Sequence, residues 1–482
     1  MSQVTARLYC HGLGDCNLLG IARPTGGMFW ILIDCGIHTS AKGGRETIDG
    51  VVEDIIRTVT PPGGGRPRLD VIVATHEHWD HISGFLTAAA LFARFEVGEI
   101  WLAWTENPAD AQGRALDKYK GEALSALATA AVKLRADPTQ AAVAHGIEEL
   151  LGFHFGIKGE RSREARDAVV ALAPNNVRYL DPGVVAPLPA GLGVTAYVLG
   201  PPRDVAMLGL RDSVADTYGI DDGWAVSTAL RNAFGVEGGD MDMDGDAASP
   251  FDETEGVPLS SLDIDAAMPD ALTKFVRDHY AGPADPQLLP VCQPGDPDPP
   301  SRDQAWRRID SDWLGSAAEL ALQLDNRTNN TSLVLAFALA PGGDVLLFAA
   351  DAQVGNWKTW GPVRFPDGTA GADLLRRTRL YKVGHHGSAN ATLKGAAGKG
   401  GLEAMMHPEL VAFIPTDEAM AKRVGWGAIP DPKLMLRLAD KAKGGVIRSD
   451  QHGSPVWEQV FDGGTARPRR RRIRPGQSGT IS

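Results

Sequence analysis

The feature that most constrains this chain is the hexapeptide His76-Glu77-His78-Trp79-Asp80-His81, set directly after the apolar run 69–74. Val71, Ile72, Val73 and Ala74 suit a strand buried on both faces, and ligands gather at the carboxyl ends of such strands. Two imidazoles two residues apart can hold one cation from a tight loop. A carboxylate followed by a third imidazole can reach a second cation close by. Imidazole and carboxylate together suit Zn²⁺ and also accept Mn²⁺ or Fe²⁺. Two cations bridged by water lower its pKa and clamp both the attacking and the leaving oxygen. Three of the chain's twelve histidines fall within these six residues, so the segment predicts metal-assisted hydrolysis rather than a hydrated turn.

The rest of the chain reads as a scaffold for that loop. Residues 5–9 and 16–21 pattern as strands flanking the turn HGLGDC. Residues 29–33 pattern as a short strand running into Asp34-Cys35-Gly36. Residues 46–59 carry Ile48, Val51, Val52, Ile55 and Ile56 at helical spacing. Strand patterning returns at 177–180 and 193–199. TSLVLAFALAP and GGDVLLFAAD, separated by a Gly-Gly turn, give the strongest hairpin signal. LYKVGHHGSAN, ELVAFIPTD, a helix over 432–441 and the strand GGVIRSD complete the pattern. Two stretches interrupt it. Residues 105–173 are Ala-rich and charged and predict a helical insertion. Residues 205–320, rich in Asp and Pro, predict a loosely ordered surface insertion. A basic tail, 465–482, follows, with arginines at 467, 469–472 and 474.

The net charge of −12 argues against a protein that coats nucleic acid. It leaves a nuclease open, because bound cations set the local field of such a site. Four cysteines in 482 residues predict a reducing compartment, with the thiols acting as small buried hydrophobes. The N-terminus lacks a basic segment followed by an apolar one, and no apolar run approaches the length of a membrane span. The expectation is a cytoplasmic protein with no membrane partner.

The segments HGLGDCNLL, ILIDCG, VIVATHEHWDHISG, VRYLDPG, YVLGPP, NNTSLVLAF, LLFAAD and KVGHHGS occur in this order. Together they resemble the metallo-β-lactamase superfamily, and within it the soluble hydrolase domain of ComEC-type DNA-uptake proteins and their free-standing relatives. The resemblance implies an α/β fold, a four-layer αβ/βα sandwich spanning 1–464 with the two insertions, and a site between the sheet edges. It implies that His76 and His78 hold a first divalent ion, Asp80 and His81 a second, and that Asp351 bridges them. Zn²⁺ is the expected metal and Mn²⁺ the alternative. Asp34 is expected to orient the loop. His385, His386 and Ser388 are expected to contact substrate or the second ion. Asn329, Asn330 and Ser332 match the family's N-x-x-S region.

Two departures stand out. Thr331 replaces a histidine that relatives often carry, and Ile429 replaces a histidine before Pro430. The second ion is therefore expected to bind weakly, with His386 or His385 completing its site and Asp431 as the alternative. His145, His154 and His279 in the insertions are further candidates for the ligand missing from the first. The implied activity is a phosphodiesterase or nuclease acting through metal-activated hydroxide, with Asp80 orienting the nucleophile. Its substrate would be a phosphate ester or nucleic acid. The alternatives are a lactone, thioester or β-lactam hydrolase of the same fold, or a binding protein with a partly decayed metal site. His78 separates the chain from flavin-partnered diiron relatives, which carry Glu at that position.

Overall fold

The computed structural model describes residues 3–38, 47–135, 160–210, 326–395, 400–423 and 428–462, with short pieces within 145–151 and 268–274 and at 324. The strands form two seven-stranded sheets. The first contains β1 (Gln3–Tyr9), β2 (Cys16–Ala22), β3 (Met28–Cys35), β4 (Arg68–Val73), β5 (Glu96–Ala103), β6 (Val177–Leu180) and β14 (Val456–Asp462), in the order β14-β1-β2-β3-β4-β5-β6. The second contains β7 (Val185–Ala186), β8 (Thr195–Gly200), β9 (Val334–Ala338), β10 (Val345–Phe348), β11 (Thr378–Lys382), β12 (Val411–Ile414) and β13 (Gly445–Arg448). Its order is β13-β12-β11-β10-β9-β8-β7. In the first sheet the pairings from β14 to β3 are antiparallel and those from β3 to β6 parallel. The second repeats this pattern, antiparallel from β7 to β10 and parallel from β10 to β13.

Alternation along the strands decides the layers. Leu8, Ile31, Val71 and Val73 of the first sheet meet Val198, Leu335, Phe348 and Leu380 of the second in one buried layer. The other face of the first sheet packs Leu18, Leu32 and Ile72 against α1 (Ile48–Val59) and α2 (Trp79–Thr87). The first insertion supplies α3 (Ala111–Arg135) and α4 (Glu160–Ala171), and Ala165 and Val169 of α4 join that same cluster. On the far side, Leu347, Tyr381 and Ile414 pack against α5 (Val354–Trp360), α6 (Gly371–Arg376) and α7 (Pro432–Lys441). The result is an α/β sandwich of four layers, as the sequence implies.

The described chain divides into two compact units. One comprises Met1–Leu124, Glu149–Asp222 and Gln323–Ser482 and carries both sheets; the other comprises Ser125–Glu148 and Gly223–Leu322. The Gly-Gly hairpin joins β9 and β10 as expected, and the last helix starts at Pro432 behind an Asp431 cap. Other elements escaped the pattern reading. The sequence pattern shows α2 only as a loop, because Asp80 and His81 in its first turn break the apolar periodicity. Strand β14 was missed because its partner, β1, lies some four hundred and fifty residues away in sequence. Cys10, Cys16 and Cys35 are buried, as expected. Cys292, the basic tail and most of the second insertion lie outside the described residues. No helix among the described residues is long and apolar enough to cross a membrane.

Candidate metal centre

The site forms where antiparallel pairing gives way to parallel pairing in each sheet, at the carboxyl ends of β3, β4, β10 and β11. This is where strand topology opens a crevice in α/β sheets. After β4 the backbone makes the turn Thr75–His78 and enters α2, so Asp80 and His81 stand in that helix's first turn. Asp34, at the end of β3, holds this loop in place. Its carboxylate accepts from Thr75 N (2.8 Å), Thr75 Oγ1 (2.7 Å) and His81 Nδ1 (2.8 Å). Gly36 completes the support by close approach, because a Cβ there would collide with the backbone of Asp80 and His81.

The second sheet contributes from farther away in sequence. Asp351 follows β10 and lies 3.1 Å from His81 Nε2 through Oδ2. Its Oδ1 accepts from His385 N at 2.8 Å, and its own N–H donates to Ser332 Oγ at 3.2 Å. His386 shares Nε2 with Asp80 Oδ2 (2.7 Å) and Nδ1 with the Pro415 carbonyl (2.7 Å). Ala350, His385 and His386 all adopt left-handed backbone, as does Asp34 in the first sheet. Such backbone costs on the order of 1–3 kcal/mol per non-glycine residue, and it concentrates at functional sites.

Among the described residues, three groups of side chains could each close on one cation: His76, His81 and Asp351; Asp80, Asp351 and His386; and Asp15, Asp34 and His81. The first two share Asp351, as a bridging carboxylate would. The grouping differs from the expected one, in which His78 partners His76 and His81 partners Asp80. Asp34 fixes Nδ1 of His81 and so turns Nε2 toward Asp351, while Asp80 is engaged by His386. His78 is fully buried with its ring edge-on to that of His76, centroids 4.7 Å apart. The residues suit a metal. His76 Nε2 and Asp80 Oδ1 are buried without a hydrogen bond, and buried polar atoms of this kind call for an ion or another partner.

The electrostatics agree. Burial opposes charge on His81, but the carboxylates of Asp351, Asp15, Asp80 and Asp34 override it and hold its pKa well above the usual imidazole value. Burial, reinforced by His81, holds His76 well below that value. His78 is lowered in the same way, by burial and then by His76. Asp80 resists the upward push of burial, because His81 and His386 keep it well below the ordinary carboxylate range.

Other expected residues fall outside the cluster. Thr331 donates its hydroxyl to the Thr328 carbonyl (2.6 Å). Asn330 accepts from Asn356 N and donates to the Leu208 carbonyl, which fixes the start of α5. Ser388 bonds His385 Nδ1 and Asn390. Asp431 caps α7 at Leu434 N, which occupies the carboxylate proposed as a substitute ligand. His145 is exposed, and His154 and His279 lie outside the described residues.

Four residues near the site escaped the sequence reading. Lys382 is about 1% exposed, ion-paired with Asp15, and donates to the Ala350 carbonyl at 3.1 Å. Its signal was a lysine inside an apolar strand, since buried lysines require partners. Asp15 lies in the HGLGDC turn, whose sequence reads only as the link between two strands. His38 is buried and pushed down to about 4, chiefly by burial. Glu77, between the two imidazoles, is about 3% exposed. Beside the loop lies a cleft whose walls include Thr105, Tyr119, Lys120, Arg327 and Thr331.

The family model of the Metallo-beta-lactamase superfamily matches residues 13–106, the span that holds β2 to β5 and the whole histidine loop. No curated protein matches the chain. The family match suggests a metal-dependent hydrolase, and the buried His and Asp groups could bind the metal.

Proposed function

We propose that this protein is a phosphodiesterase-type hydrolase working with two divalent ions, Zn²⁺ or Mn²⁺. The observation that carries the reading is the pair of ligand groups sharing Asp351: His76, His81 and Asp351 on one side, Asp80, Asp351 and His386 on the other. His78, its ring edge-on to that of His76 at 4.7 Å, lies beside the first group. When bound, such ions supply Lewis acidity and an acidified water at neutral pH. The chain's own residues supply the rest. His386 engages one oxygen of Asp80, leaving Oδ1 to accept a hydrogen bond from the attacking water and so orient it. His385 is only partly buried and sits beside His386, where it can hydrogen-bond a phosphoryl oxygen. Arg327, its guanidinium 4.8 Å above the Tyr119 ring in the adjoining cleft, can bind a further phosphate oxygen. The substrate class itself draws on the KVGHHGS resemblance.

Metal analysis followed by assays with bis-p-nitrophenyl phosphate, DNA, and chromogenic lactone, thioester and β-lactam substrates tests this. Phosphodiester cleavage that Asp80→Ala lowers by about a thousandfold is expected. Cleavage confined to the lactone, thioester or β-lactam overturns the substrate class, and full activity in Asp80→Ala overturns the site. A second reading, a metal-binding protein without hydrolytic activity, draws on Thr331 and Ile429 standing where relatives carry ligands. Stoichiometric metal with no turnover on any of these substrates would favour it.

A further inference from the structure

We propose that the helical insertion is a working part of the metal centre, with Lys120 and Arg166 acting as positioning residues that hold the histidine loop through Glu77. The inference rests on the reading that this loop binds metal. Glu77 separates His76 from His78, so its backbone cannot move without moving both imidazoles. Its side chain reaches into the insertion, where one oxygen ion-pairs with Lys120 of α3 and the other with Arg166 of α4. Glu106, which follows β5, completes the cluster, 3.3 Å from Arg166 and 4.0 Å from Lys120. Two carboxylates and two cations thus meet inside the protein, and Asp117 and Asp167 also lie within ion-pair reach of Arg166. Glu77 and Glu106 are almost fully buried, and Lys120 and Arg166 are mostly buried.

Buried charge of this kind is strongly position-specific. A displaced Glu77 would leave its carboxylate in a low-dielectric interior without partners, a state far costlier than losing a surface ion pair. The loop is therefore fixed from three directions. Asp34 holds Thr75 and His81, Gly36 abuts Asp80, and the insertion holds Glu77. The first two supports come from the sheet itself. The third comes from a segment that otherwise reads as an accessory, and it is the one that acts between His76 and His78. Residues behind metal ligands tune affinity by orienting the ligands, and their loss typically lowers affinity by about 10- to 100-fold.

The test is titration of Co²⁺ into metal-free full-length protein, following affinity and the visible absorption band. The parent should show a tight site. Lys120→Met and Arg166→Met should weaken it by about 10- to 100-fold and shift its band, and Lys120→Arg should restore both. A purely structural role would lower thermal stability without changing affinity or band. Should a single variant fail to fold, Glu77→Gln combined with Lys120→Met removes one charge of each sign and leaves Arg166 with Glu106. That variant should fold and still bind Co²⁺ weakly. Parent-like affinity and spectrum in the folded Met variants, or in the double variant, would overturn the inference while leaving the metal reading intact. Failure of the parent to bind Co²⁺ would overturn the metal reading and this inference with it.

Discussion

The two sheets run through the same sequence of pairings, three antiparallel and then three parallel, yet they equip the equivalent corner differently. In the first sheet the corner between β3 and β4 gathers Asp34, His76, His78, Asp80 and His81 within one loop and its supporting strand. Every one of these side chains is buried. In the second sheet the corner between β10 and β11 offers Asp351, Lys382 and His386, spread over more than thirty residues, with left-handed backbone at Ala350, His385 and His386. One corner is a preassembled ligand loop. The other brings counter-charges to it. The difference teaches that the loop can be specified locally, whereas the shared carboxylate and the balancing cations depend on two sheets meeting face to face.

The largest effect that would sharpen this contrast should come from the second corner. Lys382→Met leaves Asp15 buried opposite an apolar side chain. A buried pair broken on one side costs about 3–5 kcal/mol, so unfolding in urea should show a loss of that size. A change below about 1 kcal/mol would mean that Lys382 does not neutralise the site, since that is the range of exposed ion pairs.

Metal titration separates the corners next. His386→Ala should remove the weaker of two ions and spare the tighter, whereas His76→Ala, which deletes a candidate ligand of the tighter ion, should weaken it by more than the roughly 10- to 100-fold typical of losing a supporting residue. Two equally tight ions that survive His386→Ala would erase the asymmetry between the corners.

A third effect probes the first corner's backbone. Gly36→Ala places a methyl against Asp80, and overpacking of this kind costs about 1–3 kcal/mol. Thermal unfolding should show the loss, and metal affinity should fall with it because the displaced residue is a candidate ligand. Stability that falls with unchanged affinity would show that the loop tolerates the push.

The smallest effect concerns Glu106. Burial, and then the Glu77 carboxylate, push its pKa from the ordinary 4.5 up to about 7. Because the folded value is raised, its contribution to stability is fully present below about 4.5 and is lost as pH rises through about 7. Glu106→Gln should therefore unfold at a higher temperature than the parent above pH 7, with the gap narrowing as pH falls. Parallel Tm–pH curves for the two proteins would contradict the shift.

Much of this molecule was legible before folding was considered. The histidine loop is visible because its donors are contiguous and follow a recognisably buried strand. The β9–β10 hairpin and α7 are visible because Gly-Gly and Asp-Pro mark their ends. The sequence by itself thus determined the ligand-rich loop, the α/β alternation around it and the helical character of the first insertion. Only the tertiary structure decided which candidate donors come within reach of a common point. Asp80 meets His386 across 306 positions of sequence, Lys382 meets Asp15, and Lys120 and Arg166 reach Glu77 from helices the loop does not touch in sequence. The physical reason is the cost of buried charge. Local spacing decides which side chains share a loop, but a carboxylate or ammonium removed from water needs a partner of opposite sign, and here those partners come from chain segments that only folding brings within reach.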